Sequence, residues 1–374
     1  MRACHQIERF CCAFTVLFPK LFCNGFYIWA GYTYCWQISL NYIGGFFGFL
    51  LCLIGLFLTL GGILSYYRIV SLGAGVAVDY PELRIKYVSD DHEDDLAIGD
   101  LNDESLIQFI KSGIINPPPQ YYSTHTFTIK SSGIIRYCNK CKVWKPDRCH
   151  HCSTCKQCVL KMDHHCPWFA TCIGYKNHKF FIQFLTYTTL LSALCGLTSL
   201  QILYDFIFKG IYLHYHFSIN WIFLFIFGVS FFFAVAMFDG FSIYQIVTNR
   251  TTLESYDYTR YRIDLNAAFD SYYQYSNKPN SDQYGNLFSL GTKSENWKAV
   301  MGNSWLEWCL PIVNNPTTKD YYFKNGLCYP VNENIYNELV YNARLQLQLA
   351  TELNNYRMRR MKDSARDPGT RDGV

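Results

Sequence analysis

Apolar residues gather into four long runs along this chain, and one long polar stretch rich in cysteine separates the first two runs from the last two. From Leu21 to Tyr67 no residue is charged. A membrane span takes about 20 residues, so this run is too long for one. Gln37-Ile38-Ser39-Leu40-Asn41 offers a polar turn where it can fold back. The pattern predicts a first span over Val16–Trp36, whose start Pro19 and Lys20 interrupt, and a second over Ile43–Ser65. A cleaved leader competes with the first span, since Arg2 and Arg9 precede an apolar run. No small-residue cleavage site follows, however, and a second span comes at once. Phe180–Tyr204 and Phe217–Phe238 supply two more stretches long enough to cross, with Lys209, His214 and His216 between them. Four such runs in one chain fit poorly with helices buried in a large soluble core.

Lysines and arginines set the orientation. The link between the first two spans has none, and the link between the last two has only Lys209. Arg2, Arg9, Arg68, Arg250, Arg260 and Arg262 flank the opposite ends, and Arg136 to Lys179 holds nine Lys/Arg against Asp147 and Asp163. The positive-inside rule then puts both termini and the cysteine-rich insert in the cytosol. The expected fold is an all-α polytopic membrane protein: four transmembrane helices with a cytosolic insert between helices two and three. Its expected parts are a cytosolic N-terminus (1–15), helices one and two (16–66), a cytosolic linker (67–135), the insert (136–179), helices three and four (180–247) and a cytosolic C-terminal region (248–374).

Smaller features fill these parts. Asp90 to Glu104 is acidic and lacks lysine or arginine, and Pro117-Pro118-Pro119 stiffens the approach to the insert. Trp297, Trp305 and Trp308 suit either the headgroup level or packing in a small soluble fold. Asn334 to Lys362 reads as a helix, with Leu339, Val340, Ala343, Leu347, Ala350 and Leu353 near one face. Arg357, Arg359, Arg360 and Lys362 lie towards its C-terminal end, and Ser364 to Val374 reads as disordered.

Composition narrows the class. The 374 residues exceed one typical domain; half are hydrophobic, 18% aromatic and only 17% charged, against a usual charged share of about 25%. That balance excludes a disordered chain and argues against an ordinary soluble enzyme. A net charge of +4 gives no ground for a nucleic-acid partner. Of 17 cysteines, eight fall between Cys138 and Cys172, mixed with His150, His151, His164 and His165. A disulfide framework would not mix histidines into its ladder, so metal ligation or thiol chemistry on a reducing side fits better.

A repeat sorts these residues. Cys138-x2-Cys141-x9-His151-x6-Cys158 recurs fourteen residues later as Cys152-x2-Cys155-x9-His165-x6-Cys172. Each set offers three thiolates and an imidazole, the donor set of a closed, structural zinc site. With few large apolar residues in the insert, metal binding is expected to supply most of its folding free energy, on the order of 10 kcal/mol per site. His150 can replace His151, and His164 can replace His165, because both pairs are fourteen apart. With the eight ligands assigned, Cys149, Cys166, His150 and His164 remain. A thiol becomes a competent nucleophile when a base takes its proton. His164 is placed to serve Cys166 as that base, with Asp163 orienting the ring. Two closed metal sites leave no open position for water, so their task would be to hold this trio in place.

Asp163-His164-His165-Cys166, followed by Pro167-Trp168 within this cysteine-rich pattern, resembles the DHHC family of protein S-acyltransferases, the palmitoyltransferases. The resemblance covers about Val16 to Glu254. It implies two structural zinc ions, ligated as the repeat assigns them, and palmitoyl-CoA as co-substrate. Cys166 would attack the thioester to give an acyl-enzyme, and the acyl group would pass to a cysteine of a protein substrate, with His164 as base and Asp163 behind it. A pocket between the spans would hold the acyl tail, at about 0.8 kcal/mol per buried CH₂. The resemblance places Lys145, Arg148 and His150 at the CoA phosphates and Trp168 beside the thioester. Thr251-Thr252-Leu253-Glu254 matches the family's TTxE motif, in which Thr252 would contact Asp163; alone it is also a plain capping box.

Some positions depart from the pattern. Ser71-Leu72-Gly73-Ala74-Gly75 stands where the family often has Asp-Pro-Gly, and Asp367-Pro368-Gly369 is in the wrong place to replace it. Thr171 stands where asparagine is common. Neither change touches a proposed ligand or the trio. Lys145 to Cys152, Pro167-Trp168-Phe169-Ala170, Asn296-Trp297-Lys298 and Trp305-Leu306-Glu307-Trp308 look most like the fungal vacuolar palmitoyltransferases. That closer likeness implies a vacuole membrane, with Golgi or endoplasmic reticulum as alternatives, and a peripheral protein of the vacuole surface as acceptor. The competing class is a zinc-stabilised membrane adaptor or ubiquitin-ligase-like module, which leaves Asp163, His164 and Cys166 without a task. A transporter or channel finds little support in spans so poor in charge.

Overall fold

The computed structural model describes residues 2–88, 102–209, 218–256, 259–261, 279–314 and 320–366. Most of the acidic run from Asp90, the link holding His214 and His216, Arg262 and Asp367-Pro368-Gly369 lie outside them. Helix α1 (Arg2–Tyr32) begins well before Val16 and continues through Pro19. It passes into a π-helix (Thr33–Ile43) that takes up the polar residues expected to turn the chain. The reversal falls at Gly44 and Gly45 instead, with φ of 60° and 58°, where the missing Cβ permits left-handed backbone. Helix α2 (Gly45–Leu72) then runs back antiparallel to α1. Tyr27 crosses at Gly62 and Tyr34 at Gly55, glycines whose lack of a side chain admits the rings.

Two 3₁₀ turns, α3 (Asp103–Lys111) and α4 (Tyr122–His125) lead to the insert. Three antiparallel hairpins follow: β1 (Tyr137–Cys138) with β2 (Val143–Trp144), β3 (His150–Cys152) with β4 (Gln157–Val159), and β5 (His164–Cys166) with β6 (Thr171–Ile173). Lys142, Lys156 and Ala170 turn them with φ of 52°, 54° and 51°. The fourteen-residue period therefore extends to a third hairpin, in which Cys166 holds the register of Cys138 and Cys152.

Apolar packing with the flanking chain adds to what metal binding is expected to supply to the insert. Trp144, Val143 and Leu160 share a core with Leu83, Leu106 and Ile115 of the preceding segment and with Leu327 of the tail. Flanking chain supplies the apolar surface that the insert lacks.

Helices α5 (His178–Phe208) and α6 (Ile219–Val247) pack where Gly196 meets Gly228, so closely that a Cβ on Gly228 would lie 2.8 Å from the Gly196 nitrogen. Among the described residues, α2, α5 and α6 are long and apolar enough to cross a membrane. After α6 come α7 (Thr252–Tyr256), α8 (Ser281–Tyr284), α9 (Lys293–Met301), α10 (Trp305–Cys309), α11 (Tyr321–Lys324) and α12 (Glu333–Arg366). Trp297 and Trp308 stack edge to face at 6.1 Å and pack beneath the core that holds Cys166, while Trp305 is exposed. The first turns of α5 fasten this segment: Lys179 Nζ donates to the Ile312 carbonyl (2.8 Å) and Gln183 Nε2 to the Leu310 carbonyl (2.8 Å). The predicted C-terminal helix is present in α12, which also takes in Ser364 to Arg366; residues 367–374 lie outside the described chain.

Candidate active site

The register of the hairpins builds two clusters. Cys138, Cys141, His151 and Cys158 form one, and Cys152, Cys155, His165 and Cys172 the other, with all donor atoms within 4.8 Å of one another. The sulfurs stand 3.2–3.8 Å from His151 Nδ1 in the first and 3.3–3.7 Å from His165 Nδ1 in the second. Ligands about 2.0–2.3 Å from a tetrahedral zinc are separated by roughly 3.5–3.8 Å, so both clusters have the size the ion requires. This geometry decides between the adjacent histidines: His151 and His165 are the cluster members, and His150 and His164 are not. When bound, zinc supplies folding free energy to the hairpins.

Cys166 belongs to neither cluster. In the third hairpin Phe169 stands fourteen residues after Cys155, so the second donor of the Cys-x2-Cys pair is missing. Beside Cys166, His164 Nδ1 donates to Asp163 Oδ2 at 2.7 Å, and its ring is walled by Phe181 and Phe238. Asp163 is 4% exposed and accepts from the Thr252 backbone N–H at 2.8 Å and from the Thr252 hydroxyl at 2.8 Å. Burial alone would raise the Asp163 pKa, but the hydrogen bond from His164, the nearby His178 and His164 rings and the Thr252 N–H together outweigh it and hold the carboxyl below the usual range. Burial likewise opposes charge on His164, yet its contacts with Asp163 and Cys166 raise that pKa to about 9. The ring is thus a strong proton acceptor held against a thiol.

Thr251 to Glu254 serves two ends at once. Glu254 Oε2 caps α7 by accepting from Thr251 N–H at 3.0 Å, as a capping box would. The same carboxylate pairs with Arg148 Nε and Nη2, each at 2.8 Å, while Asn249 takes Nη1 and Nη2 at 2.9 Å. Arg148 is 2% exposed, its guanidinium largely engaged by Glu254 and Asn249. One face of it still lines a polar cleft with Lys130, Arg136, His150 and Arg260. Burial and the neighbouring cations Arg136, Lys145 and Arg148 hold His150 well below its ordinary pKa. Lys145 is half-exposed, its backbone N–H bonded to the Arg136 carbonyl at 2.8 Å. Asp147 is wholly buried and accepts the Phe127 and Thr128 N–H groups at 2.9 Å.

On its other side Cys166 opens onto an apolar cavity of about 410 Å³ between α1, α5 and α6. Cys166, Trp168 and Phe169 lie at its mouth, and Cys195, Leu224 and Gly228 line its far end. Trp168 is 56% exposed and its carbonyl accepts the Tyr66 hydroxyl at 3.0 Å. Along α5, the fourteen steps from Phe181 to Cys195 rise about 21 Å. An extended sixteen-carbon chain, at about 1.2 Å per bond, needs roughly 18 Å.

Comparison with known proteins agrees with this chemistry. The profile of the DHHC palmitoyltransferase family matches residues 131–259. Palmitoyltransferase PFA3 of Debaryomyces hansenii is 36% identical over 95% of this chain and 92% of its own length. Palmitoyltransferase PFA3 of Candida albicans is 39% identical over 95% of this chain and 93% of its own, and that of Saccharomyces cerevisiae 36% identical over 90% and 91%. The chain belongs to the DHHC palmitoyltransferase family. As a member it is a membrane enzyme, a protein S-palmitoyltransferase, and its two Cys₃His clusters are consistent with the family's zinc sites. The family's co-substrate is palmitoyl-CoA.

Sequence reasoning missed several parts of this DHHC site. Phe181 and Phe238, the cleft residues Lys130, Arg136 and Arg260, and the anchors Asn249 and Tyr66 carry no motif. Lys161, 7% exposed and pushed down to about pKa 7 by burial and Arg148, was also unmarked. The Arg148–Glu254 pair spans 106 residues, and only the TTxE motif hinted at it.

Proposed function

We propose that this chain moves a palmitoyl group from palmitoyl-CoA to protein cysteines through a thioester on Cys166. The observation that carries the reading is the thiol outside both clusters, beside an Asp-ordered histidine and at the mouth of an apolar cavity. The Cys166 sulfur attacks the thioester carbonyl and its proton passes to His164. The C–S bond to CoA breaks, and the leaving thiolate takes that proton. An acceptor thiol then gives its proton to His164 and attacks the acyl-enzyme; Cys166 leaves as thiolate and is reprotonated. Asp163 keeps Nδ1 protonated, so Nε2 serves the sulfur, and Thr252 holds Asp163. The acyl chain occupies the cavity, Trp168 covers the thioester, and Lys145, His150 and the open face of Arg148 meet the CoA phosphates.

Two finer readings accompany this. Four spans with both termini and the insert cytosolic are supported by the antiparallel pairing of α1 with α2 and by the asymmetry of lysine and arginine. The division into N-terminus, helix pairs, linker, insert and C-terminal region follows the same lines. A vacuole membrane, with a peripheral protein of its surface as acceptor, is supported by the motif likeness to the fungal vacuolar type.

The test is direct. Purified protein incubated with labelled palmitoyl-CoA should gain a hydroxylamine-sensitive label that Cys166→Ser abolishes. Full labelling of the variant would overturn the assignment.

A further inference from the structure

Helix α12 has a task that acyl transfer does not use. Its first turns are anchored: Leu339 is 2% exposed and packs with Phe127, Tyr261 and Leu287. Beyond them the helix runs on with an apolar stripe uncovered. Tyr341, Leu345, Leu349, Leu353 and Tyr356 follow one another at steps of four, four, four and three residues, each between 43 and 67% exposed. Five basic residues accompany the stripe from Tyr341 to Lys362 (Arg344, Arg357, Arg359, Arg360 and Lys362) against one acid, Glu352.

Charge and spacing choose the occupant. A second copy zipped along this face would need a 3.5-residue seam through 345, 349, 352 and 356, and Glu352 puts a carboxylate in it. A parallel pairing would also bring two basic C-terminal ends together. A surface that is apolar beneath and anionic above satisfies both features. We propose that α12 lies on the anionic phospholipid surface of the membrane in which the protein resides, its leucine stripe at the acyl boundary and its basic end among the headgroups. The proposal rests on the chain's being a membrane protein and on no feature of the acyl-transfer site.

Hydrogen exchange on the full chain in lipid nanodiscs tests it. Amides of residues 341–362 should exchange about tenfold more slowly in phosphatidylcholine discs carrying phosphatidylserine than in pure phosphatidylcholine discs. The difference should shrink in high salt as the charges are screened. Replacing Arg357, Arg359, Arg360 and Lys362 by Glu should erase it while Cys166 acylation in detergent stays unchanged, which shows that the variant is folded. Equal exchange in both kinds of disc would overturn the proposal. So would protection that appears only when two copies share a disc, which would mark the face as a dimer seam.

Discussion

As the proposed acyl site, the cavity makes acyl-chain selection a matter of length. Its far end lies at Cys195 on α5, near the tight crossing of Gly196 and Gly228. Replacing Cys195 by Phe fills the last turn of that depth, about 5.4 Å, or roughly four carbons at about 1.2 Å per bond. A sixteen-carbon chain then has four methylenes without a place, at about 0.8 kcal/mol each. The sum, about 3 kcal/mol, is roughly a 100-fold shift in favour of lauroyl-CoA over palmitoyl-CoA. Competing the two thioesters in a single-turnover assay of acyl-enzyme on Cys166 reads the ratio. Leu191→Phe, one turn nearer the mouth, should shift the optimum by about four carbons more. A Cys195→Phe enzyme that keeps the wild-type ratio, or a reversed order of the two variants, would refute the reading of this space as the acyl site.

Three further outcomes follow from the site. Thr252→Val removes a hydroxyl bond to a buried carboxylate, worth about 1.5–3 kcal/mol; single-turnover acylation should slow roughly 10- to 100-fold and Thr252→Ser should recover most of it. Cys141→Ser should lower zinc below two per chain by elemental analysis and loosen the hairpins to protease, while Cys166→Ser retains both ions; loss of zinc from the latter would break the sorting of ligands. Phe169→Cys rebuilds a Cys-x2-Cys pair on Cys166 and should make acylation sensitive to added zinc, whereas Phe169→Ser, with the same lost packing and no sulfur, should show no such sensitivity.

The parts of this enzyme legible in its sequence are those fixed by spacing. Ligands in a hairpin repeat at a constant interval, because each pair of strands places its residues at the same register, so the period alone identified both clusters. It was silent between His150 and His151, since a fourteen-residue shift maps either histidine onto its counterpart; which ring turns inward depends on strand pleat. The turn between the first two helices was misplaced for a different reason. Gln37 to Asn41 is polar enough to end a span, yet the chain reverses where two glycines allow left-handed backbone. The Arg148–Glu254 pair was out of reach, because Glu254 lies on another element and pairing at that distance leaves no local trace. The cavity was equally hidden: apolar residues are everywhere in α1, α5 and α6, and only their helical rotation decides which line a space.

One relation joins the metal clusters to the chemistry. Cys138, Cys152 and Cys166 occupy the same register in three successive hairpins, yet only the first two sit in clusters able to hold a metal. The third hairpin has lost every companion donor: Phe169, Lys179 and Thr186 stand where Cys155, His165 and Cys172 stand one period earlier. Its thiol therefore keeps the backbone placement of a zinc ligand while remaining free to react. Phe169 supplies apolar surface at the mouth of the cavity, and Lys179 is spent on fastening the tail, so the positions one period on carry residues with other work. The two hairpins that keep their donors are then what hold the third steady. On this argument, weakening either cluster should slow acyl transfer before it unfolds the protein, because the geometry of Cys166, His164 and Asp163 depends on the strands next to it.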